Sequence, residues 1–576
     1  MSVIQRLIRR REAGAACLPD GLHPVLRRVY AARAVGSGDE LDTQLGSLLP
    51  PDALGGMAEA AALLETALRE GRRILVVGDF DADGATSCAL MVEALQAMGA
   101  ASVGYLVPDR FAFGYGLTPA IVEVAAERRP DLLVTVDNGI SSVEGVAAAR
   151  ERGMQVLVTD HHLPGPALPE AEAIVNPNLP GDPFPSKHLA GVGVAFYLMV
   201  ALRGRLRAGG WFGERGLREP KLAELLDLVA LGTVADVVPL DRNNRILVQQ
   251  GLSRIRAGCC RPGIRALIEV SGRNGTRLVA ADLGFALGPR LNAAGRLDDM
   301  SVGIECLLAR DPVRARELAQ QLDDLNRERR EIEADMQEGA LRAIESLRLD
   351  EAKLPLGLCL YDPAWHQGVI GILASRIKER FQRPVIAFAD AGGGELKGSA
   401  RSVAGLHIRD VLDAVAASHP GLLTKFGGHA MAAGMTLEAG RLQDFSAAFD
   451  AEVRRELNGR PPDNILESDG ELAADEFSLE LAELLRSAGP WGQGFPEPLF
   501  DGLFEVVYSR LVGERHLKFG VRPQGGRQVI DAIAFNQGDH HPLTPGSRVR
   551  LAYRLDANEF RGLRSLQLVV EYMEEV

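Results

Sequence analysis

Val76-Val77-Gly78-Asp79-Phe80-Asp81-Ala82-Asp83-Gly84 is an apolar run closed by three alternating aspartates. Two more runs end in the same manner. Val134-Thr135-Val136 leads into Asp137-Asn138-Gly139, and Val158-Thr159 leads into Asp160-His161-His162. Each reads as a buried strand. Strands of a parallel sheet aim the residues at their carboxyl ends into one crevice, so ligands from distant sequence can meet there. Carboxylates with one or two imidazoles suit a hard divalent cation such as Mn²⁺ or Mg²⁺. That choice of metal points to phosphate chemistry.

The surrounding sequence alternates strand and helix. Strands are expected at Ile74–Phe80, Ser102–Val107, Asp131–Val136 and Gln155–Thr159. Helices are expected at Ala85–Met98, Thr118–Arg128 and Ser142–Arg152. This order implies α/β architecture with a parallel sheet and right-handed crossovers. Thr118-Pro119 and Asp311-Pro312 look like helix starts, a capping residue followed by proline at the first helical position. Leu222–Leu231 reads as a helix running into a Gly232-Thr233-Val234-Ala235-Asp236 turn. Val313–Leu349 lacks proline and reads as one long helix, either a spacer between globular parts or an ordinary amphipathic core helix. Further strands are expected at Leu356–Tyr361 and Pro384–Ala389, with a helix from Gly368 to Phe381 between them. After Asp469 come five short runs, Leu503–Ser509, Leu517–Val521, Gln528–Phe535, Arg548–Leu555 and Leu566–Tyr572, the spacing of a small β-barrel.

The chain has 576 residues, too many for one hydrophobic core. No apolar run is long enough to span a membrane, and no apolar stretch follows the basic N-terminus as a secretory leader requires. Six scattered cysteines make no Cys-x-x-Cys pair and fit a reducing cytoplasm. The net charge of −13 argues against wholesale nucleic-acid binding. Local basic stretches run the other way: residues 251–280 carry six arginines against Glu269 alone. Such a stretch is a solvated face or a binding face, and composition does not choose.

Three clustered carboxylates repel one another unless a cation sits among them. One of the paired histidines can ligate a metal while the other donates to phosphate, and Asp236 can close the coordination sphere. The set exceeds one ion's needs. A bridging carboxylate such as Asp137 can join two ions about 3.5–4 Å apart, an arrangement for in-line phosphoryl displacement. The phosphate-cradling Gly-x-x-x-x-Gly-Lys-Ser/Thr loop and the Gly-x-Ser-x-Gly elbow are missing, which argues against a P-loop nucleotidase and an acyl hydrolase. Lys397-Gly398-Ser399-Ala400-Arg401-Ser402 and Phe426-Gly427-Gly428-His429-Ala430 stand apart as candidate oxyanion contacts.

Together these motifs resemble the DHH phosphoesterase superfamily: Asp-x-Asp-x-Asp-Gly, Val-Asp-Asn-Gly, Asp160-His161-His162 and Gly-Thr-Val-Ala-Asp236, with the two later clusters similar to its associated second domain. Gly288-Pro289-Arg290-Leu291-Asn292-Ala293-Ala294-Gly295-Arg296 and the trailing barrel narrow the resemblance to the RecJ exonuclease family. It implies 5′→3′ degradation of single-stranded DNA to mononucleotides in recombinational and mismatch repair, with two Mn²⁺ or Mg²⁺ ions. It implies an N-terminal lead (1–50), a parallel-sheet catalytic domain (51–305), a connecting helix (306–350), a second α/β substrate-binding domain (351–460) and an OB-fold barrel (465–576).

The resemblance also implies roles. Asp81 and Asp137, with Asp79, hold one metal; Asp83, Asp137, His161 and Asp236 hold the other. His162 contacts the scissile phosphate and Asp160 orients its neighbours. Arg110, Ser399 and Arg401 bind the 5′-terminal phosphate. His429 lies near the substrate, and Arg290, Asn292 and Arg296 track the strand. Trp491 and Phe495 fall in a Gly-Pro-aromatic-Gly-x-Gly pattern. The implied partners are single-stranded DNA, a single-strand-binding protein and a helicase, for a cytoplasmic monomer without membrane attachment. Two other readings are a superfamily member acting on smaller substrates and a non-catalytic replication scaffold. The barrel speaks against the first and the complete ligand set against the second.

Overall fold

The run opening at Arg73 forms strand β1 (Arg73–Gly78). β2 (Ser102–Leu106), β3 (Leu132–Val136), β4 (Gln155–Thr159) and β5 (Ala173–Val175) join it in one sheet of order β2-β1-β3-β4-β5. Every pairing is parallel. The computed structural model describes residues 6–109, 113, 116–346, 354–428, 430–460, 464–513, 515–538, 543–560 and 562–576. Alternate strand residues enter different cores. Val76, Val134 and Leu157 pack into one cluster, Val77, Leu133 and Val158 into another. A sheet covered on both faces explains why its strands read as unbroken apolar runs. The chain leaves β1 for β2 on one side and returns to β3 on the other. The crevice for a ligand therefore lies beyond the carboxyl ends of β1 and β3.

Helix α1 (Ala82–Ala97) follows β1 and is buried almost all round, as its continuous Ala/Leu/Met/Val composition requires. It starts three residues before the expected Ala85, because Asp81 Oδ1 accepts the Asp83 and Gly84 amides at 2.9 and 3.0 Å and caps it. The three aspartates are thus a strand exit, a cap and a first-turn residue, and do not alternate along an extended strand. Helix α2 (Pro119–Glu127) begins at Thr118 as expected, Thr118 Oγ1 accepting the Ile121 amide at 3.3 Å. Helix α3 (Gly191–Ala208) packs on α1. Helix α4 (Leu226–Ala235) continues through Gly232, where a turn was expected. A Cβ at Gly232 would lie 2.8 Å from Asp83 Oδ1, so the glycine serves close packing rather than a bend. Helix α5 (Gly288–Leu297) crosses the α1 entrance, and helix α6 (Pro312–Ser346) is the long helix read from sequence. Asp311 Oδ2 accepts the Arg314 amide at 3.1 Å at its start.

Contacts divide the chain into two units inside α6: residues 1–9 with 326–466, and residues 10–325 with 467–576. In the first, β6 (Leu358–Tyr361), β7 (Val385–Gly392), β8 (Glu395–Arg401), β9 (Lys425–Gly428) and β10 (Ala432–Glu438) form a sheet of order β9-β10-β8-β7-β6. Only β6 and β7 pair in parallel. The last three strands were not expected. Glycine-rich sequence such as Lys397–Ser402 carries little strand preference of its own. Helix α7 (Ile370–Phe381) joins β6 to β7.

In the other unit, β11 (Phe500–Val512), β12 (His516–Pro523), β13 (Ile530–Ala534), β14 (Arg548–Phe560) and β15 (Leu563–Glu575) close into a barrel of order β11-β12-β13-β15-β14. The barrel is tied to the N-terminal part of the same unit by Arg33 and Asp469. Their side chains are fully buried and share two hydrogen bonds of 2.7 and 2.9 Å. Among the described residues, no helix is long and apolar enough to cross a membrane.

Candidate metal centre

The carboxyl ends of β1, β3 and β4 deliver Asp79, Asp137 and Asp160-His161-His162 to one place, and the C-terminus of α4 adds Asp236. Three sets of side chains bring one ligand atom each within 4.8 Å of the others: Asp79, Asp81 and Asp137; Asp83, His161 and Asp236; and Asp137, His161 and His162. Asp137 belongs to two of them. Its backbone holds φ +61°, uncommon for a residue with a side chain. Gly191 crowds it: a Cβ there would sit 2.6 Å from Asp137 Cβ. His161 Nε2 lies 3.1 Å from Asp137 Oδ1 and 3.5 Å from Asp236 Oδ2. The acidic and histidine residues all come from the sequence reading, and the structure gathers them; Gly191 does not.

Backbone and amide groups aim the ligands. Asp83 accepts the Gly191 and Val192 amides at 2.6 and 3.0 Å. Asp160 accepts the Ile140 amide on Oδ2 at 2.9 Å, and the His161 and His162 amides on Oδ1 at 2.7 and 3.0 Å. Its Oδ1 also meets His162 Nδ1 at 2.7 Å. Asn176 Nδ2 and Asn178 Nδ2 donate to the His162 and His161 carbonyls. These two asparagines were read only as loop; their signal, an Asn-Pro-Asn pair, becomes meaningful once the fold sets it beside β4.

Electrostatics leaves this cluster two ways to relieve its repulsion, protons or a cation. Burial, then the charge of Asp81, pushes Asp83 up to about 7. Burial, then the charges of Asp83 and Asp81, drives Asp137 and Asp236 well above the usual carboxylate range. Asp236 Oδ2 is buried and accepts no hydrogen bond from described residues. Carboxylates so placed hold protons unless positive charge replaces them. Burial pulls His162 down, but the Asp160 hydrogen bond and charge, with Asp79 and Asp81, outweigh it and raise it to about 9. Asp160 is held low against its own burial, first by the His162 hydrogen bond. An oxygen-rich set with one or two imidazoles fits Mn²⁺ or Mg²⁺.

Helix α5 clamps this loop. Asn292 Oδ1 accepts the Ala82 amide at 2.7 Å. Arg290 is buried, donates to Ala286 O at 2.6 Å and pairs with Asp323 at 2.7 Å. The expectation that Arg290 and Asn292 track a strand thus meets groups already engaged with protein. Burial of one and the capping hydrogen bond of the other give both a part in holding the wall. Arg296, one turn on, is half-buried.

In the smaller unit, Ser399 and Arg401 share a face of β8, with Arg401 Nη1 donating to Ser399 Oγ at 3.1 Å. Burial alone lowers the Arg401 pKa. Both lie against the N-terminus of α7, where a Cβ on Gly371 would come 2.8 Å from Arg401 Nη2 and 2.9 Å from Ser399 Oγ. Arg110 and His429 lie outside the described residues. Trp491 and Phe495 precede the barrel strands. They stack on each other with centroids 5.1 Å apart, Phe495 is buried, and Trp491 Nε1 donates to Leu485 O. That mutual packing, not exposure, is why they form no open stacking surface on the barrel.

Known proteins match this arrangement. Residues 73–233 match the DHH family N-terminal domain, 356–455 the DHHA1 domain and 468–572 the RecJ OB domain. The chain is 61% identical to the single-stranded-DNA-specific exonuclease RecJ of Dickeya dadantii, over all of both chains. It is 58% identical to the Escherichia coli protein of the same name, over 98% of each. Among solved structures, RecJ of Thermus thermophilus in complex with Mn²⁺ is 34% identical, with a TM-score of 0.79, over 98% of this chain and 79% of that one. The same Thermus thermophilus protein has also been solved with Mg²⁺. The donor set and these matches agree, and the chain belongs to the RecJ family of single-stranded-DNA-specific exonucleases.

Proposed function

We propose that this protein degrades single-stranded DNA from the 5′ end, releasing mononucleotides by two-metal phosphodiester hydrolysis in recombinational and mismatch repair. The observation that carries this reading is the Asp137 position, shared between two ligand sets at the sheet switch point. Asp79, Asp81 and Asp137 would hold one ion, and Asp83, Asp137, His161 and Asp236 the other. Two divalent ions held there would supply Lewis-acid polarisation of a phosphoryl oxygen and a water of lowered pKa.

The remaining work falls to the chain itself. With Nδ1 committed to Asp160, His162 offers Nε2–H to a non-bridging oxygen of the scissile phosphate. Asp160 keeps that imidazole oriented and protonated while fixing the His161–His162 backbone. Asn292, Arg290 and Gly295 support the aspartate loop; a Cβ on Gly295 would fall 1.8 Å from Phe80 O. Arg296 contacts the strand. Ser399 and Arg401, at the N-terminus of α7, take the 5′-terminal phosphate together with Arg110. Support comes from the nearly buried guanidinium, which has no carboxylate beside it among the described residues, and from the preference of helix N-termini for anions. His429, outside the described residues, is assigned a place near the substrate.

Residues 51–305 form the catalytic part, 306–350 the connection, 351–460 the 5′-end reader and 465–576 the strand-binding barrel, preceded by the 1–50 lead. The protein acts as a cytoplasmic monomer, loaded by a single-strand-binding protein and a helicase. The test uses 5′- and 3′-labelled single strands and duplexes with and without Mn²⁺. Mononucleotides released first from the 5′ label of single strands support the reading. Release first from the 3′ label, or equal attack on duplex, overturns it.

A further inference from the structure

Strands β1 and β3 each lead into a carboxylate of the metal cluster, yet the ladder that joins them stops short of both. Its last rung pairs Gly78 with Val136. Beyond that rung the two chains part. Asp79 enters the loop that leads to α1. Asp137 turns toward β4 at φ +61°, its amide donating to Thr159 O at 3.1 Å.

Asn138 spans this opening. It is fully buried, and its Nδ2 donates to Val77 O at 3.0 Å and to Val136 O at 2.8 Å. Val77 lies two residues before Asp79, and Val136 directly before Asp137. A side-chain amide has two N–H donors, and here they tie together the strand ends from which two ligands of one set emerge. Asp79, Asp81 and Asp137 bring ligand atoms within 4.8 Å of one another.

The hydrogen bonds also settle which way the amide lies. Turned over, it would set its oxygen against two carbonyl oxygens. As it stands, Oδ1 is buried and accepts no hydrogen bond from the described residues. Burying such an acceptor carries a desolvation cost that an apolar side chain of similar size avoids. Packing alone therefore does not account for an asparagine at this position. The turn that carries it is tightly held: Gly139 has φ +111°, and a Cβ there would fall 2.4 Å from Thr135 Oγ1.

The second ligand set is anchored elsewhere. Asp83 accepts the Gly191 and Val192 amides, while His161 and Asp236 follow the ends of β4 and α4. Asp137 alone is common to both sets. Loosening β1 from β3 would thus spread the first set and leave the other partners of the second in place.

We propose that Asn138 is a positioning residue that fixes Asp79 relative to Asp137. It thereby sets the affinity of the ion held by Asp79, Asp81 and Asp137, and the coupling of that ion to the second one through the Asp137 bridge. The proposal rests on the two-metal reading above.

The test is a Mn²⁺ titration of the full-length protein followed by electron paramagnetic resonance. Free Mn²⁺ is read from its aqueous signal, and a bridged pair from its exchange-coupled spectrum. The parent is expected to bind two ions and to show the coupled spectrum. Asn138→Leu keeps the size but has no donors. It is expected to weaken one ion roughly 10- to 100-fold, to leave the other nearly unchanged, and to lose the coupled spectrum. Asn138→Ser, which keeps one donor, is expected to fall between the two. Adding His161→Ala to Asn138→Leu should then remove the remaining tight ion. Circular dichroism and thermal unfolding in EDTA identify the variants that fold. Equal weakening of both ions in a folded Asn138 variant, or two tight coupled ions in folded Asn138→Leu, overturns the role of Asn138 and leaves the two-metal reading standing. A parent that binds fewer than two ions and shows no coupled spectrum overturns both.

Discussion

Asn292 Oδ1 accepts the Ala82 amide at 2.7 Å, so a side chain from α5 caps the loop between Asp79 and Asp83. It touches no ligand atom directly, yet it fixes the turn that spaces three carboxylates. Outer-shell partners of this kind typically carry 10- to 100-fold in metal affinity or activity. Asn292→Ala should therefore weaken Mn²⁺ binding by roughly that factor, read by calorimetric titration, with hydrolysis recovering at high Mn²⁺. Unchanged Mn²⁺ affinity would show that the loop holds its shape without Asn292.

Asp160 acts on the site through His162. Asp160→Asn keeps the size of the side chain but removes the charge that holds the imidazole protonated. Hydrolysis should fall on the order of 10- to 100-fold, chiefly in kcat, and Asp160→Glu should not restore it, because the carboxylate would overreach the three amides it now accepts. Steady-state kinetics on a 5′-labelled strand checks this. A change confined to KM would contradict the assigned role.

In the smaller unit, Arg401→Ala should erase the preference for 5′-phosphorylated over 5′-hydroxyl strands. Gly371→Ala should imitate it, because the added methyl would press on Arg401 Nη2 and Ser399 Oγ. Competition between the two strand types measures the preference. Equal cutting of both ends by the parent protein would remove the phosphate role from this pair.

The fold was legible wherever residue period and burial agree. Parallel strands buried on both faces announce themselves as apolar runs, and β4 was read with its bounds intact. The ligands were legible because acids and imidazoles at strand ends have no packing use. Support groups were harder to see. Asn176, Asn178 and Gly191 act through backbone contacts that exist only after the loop folds over β4. Arg290 was read as a contact to the DNA strand, since nothing nearby in the chain announces Asp323. Strands β8 to β10 were missed for the opposite reason: glycine and alanine serve a crowded face and hide the strand pattern.

An ion pair buried on both sides ties the N-terminal part to the segment that leads into the barrel. Arg33 and Asp469 are fully desolvated, and Arg33 also donates to Pro496 O and Val29 O at 2.7 Å each. Removing one partner leaves a buried charge uncompensated, which costs about 3–5 kcal/mol. Arg33→Ala should lower the denaturant midpoint accordingly, with single-strand affinity falling as the barrel loosens. Chemical denaturation followed by tryptophan fluorescence is informative because Trp491 lies over Arg33 at 5.3 Å. A loss under about 1 kcal/mol, the scale of an exposed pair, would mean the pair is solvated in solution.

The central claim is that one shared carboxylate joins two metal sites in a single-strand exonuclease. The most direct measurement compares the parent and Asp137→Ala on the same 5′-labelled single strand with saturating Mn²⁺, recording cleavage and binding together. The account predicts that the parent releases labelled mononucleotide, while Asp137→Ala loses cleavage by on the order of 10³-fold or more and still binds the strand. Cleavage by Asp137→Ala at the parent's rate would contradict it.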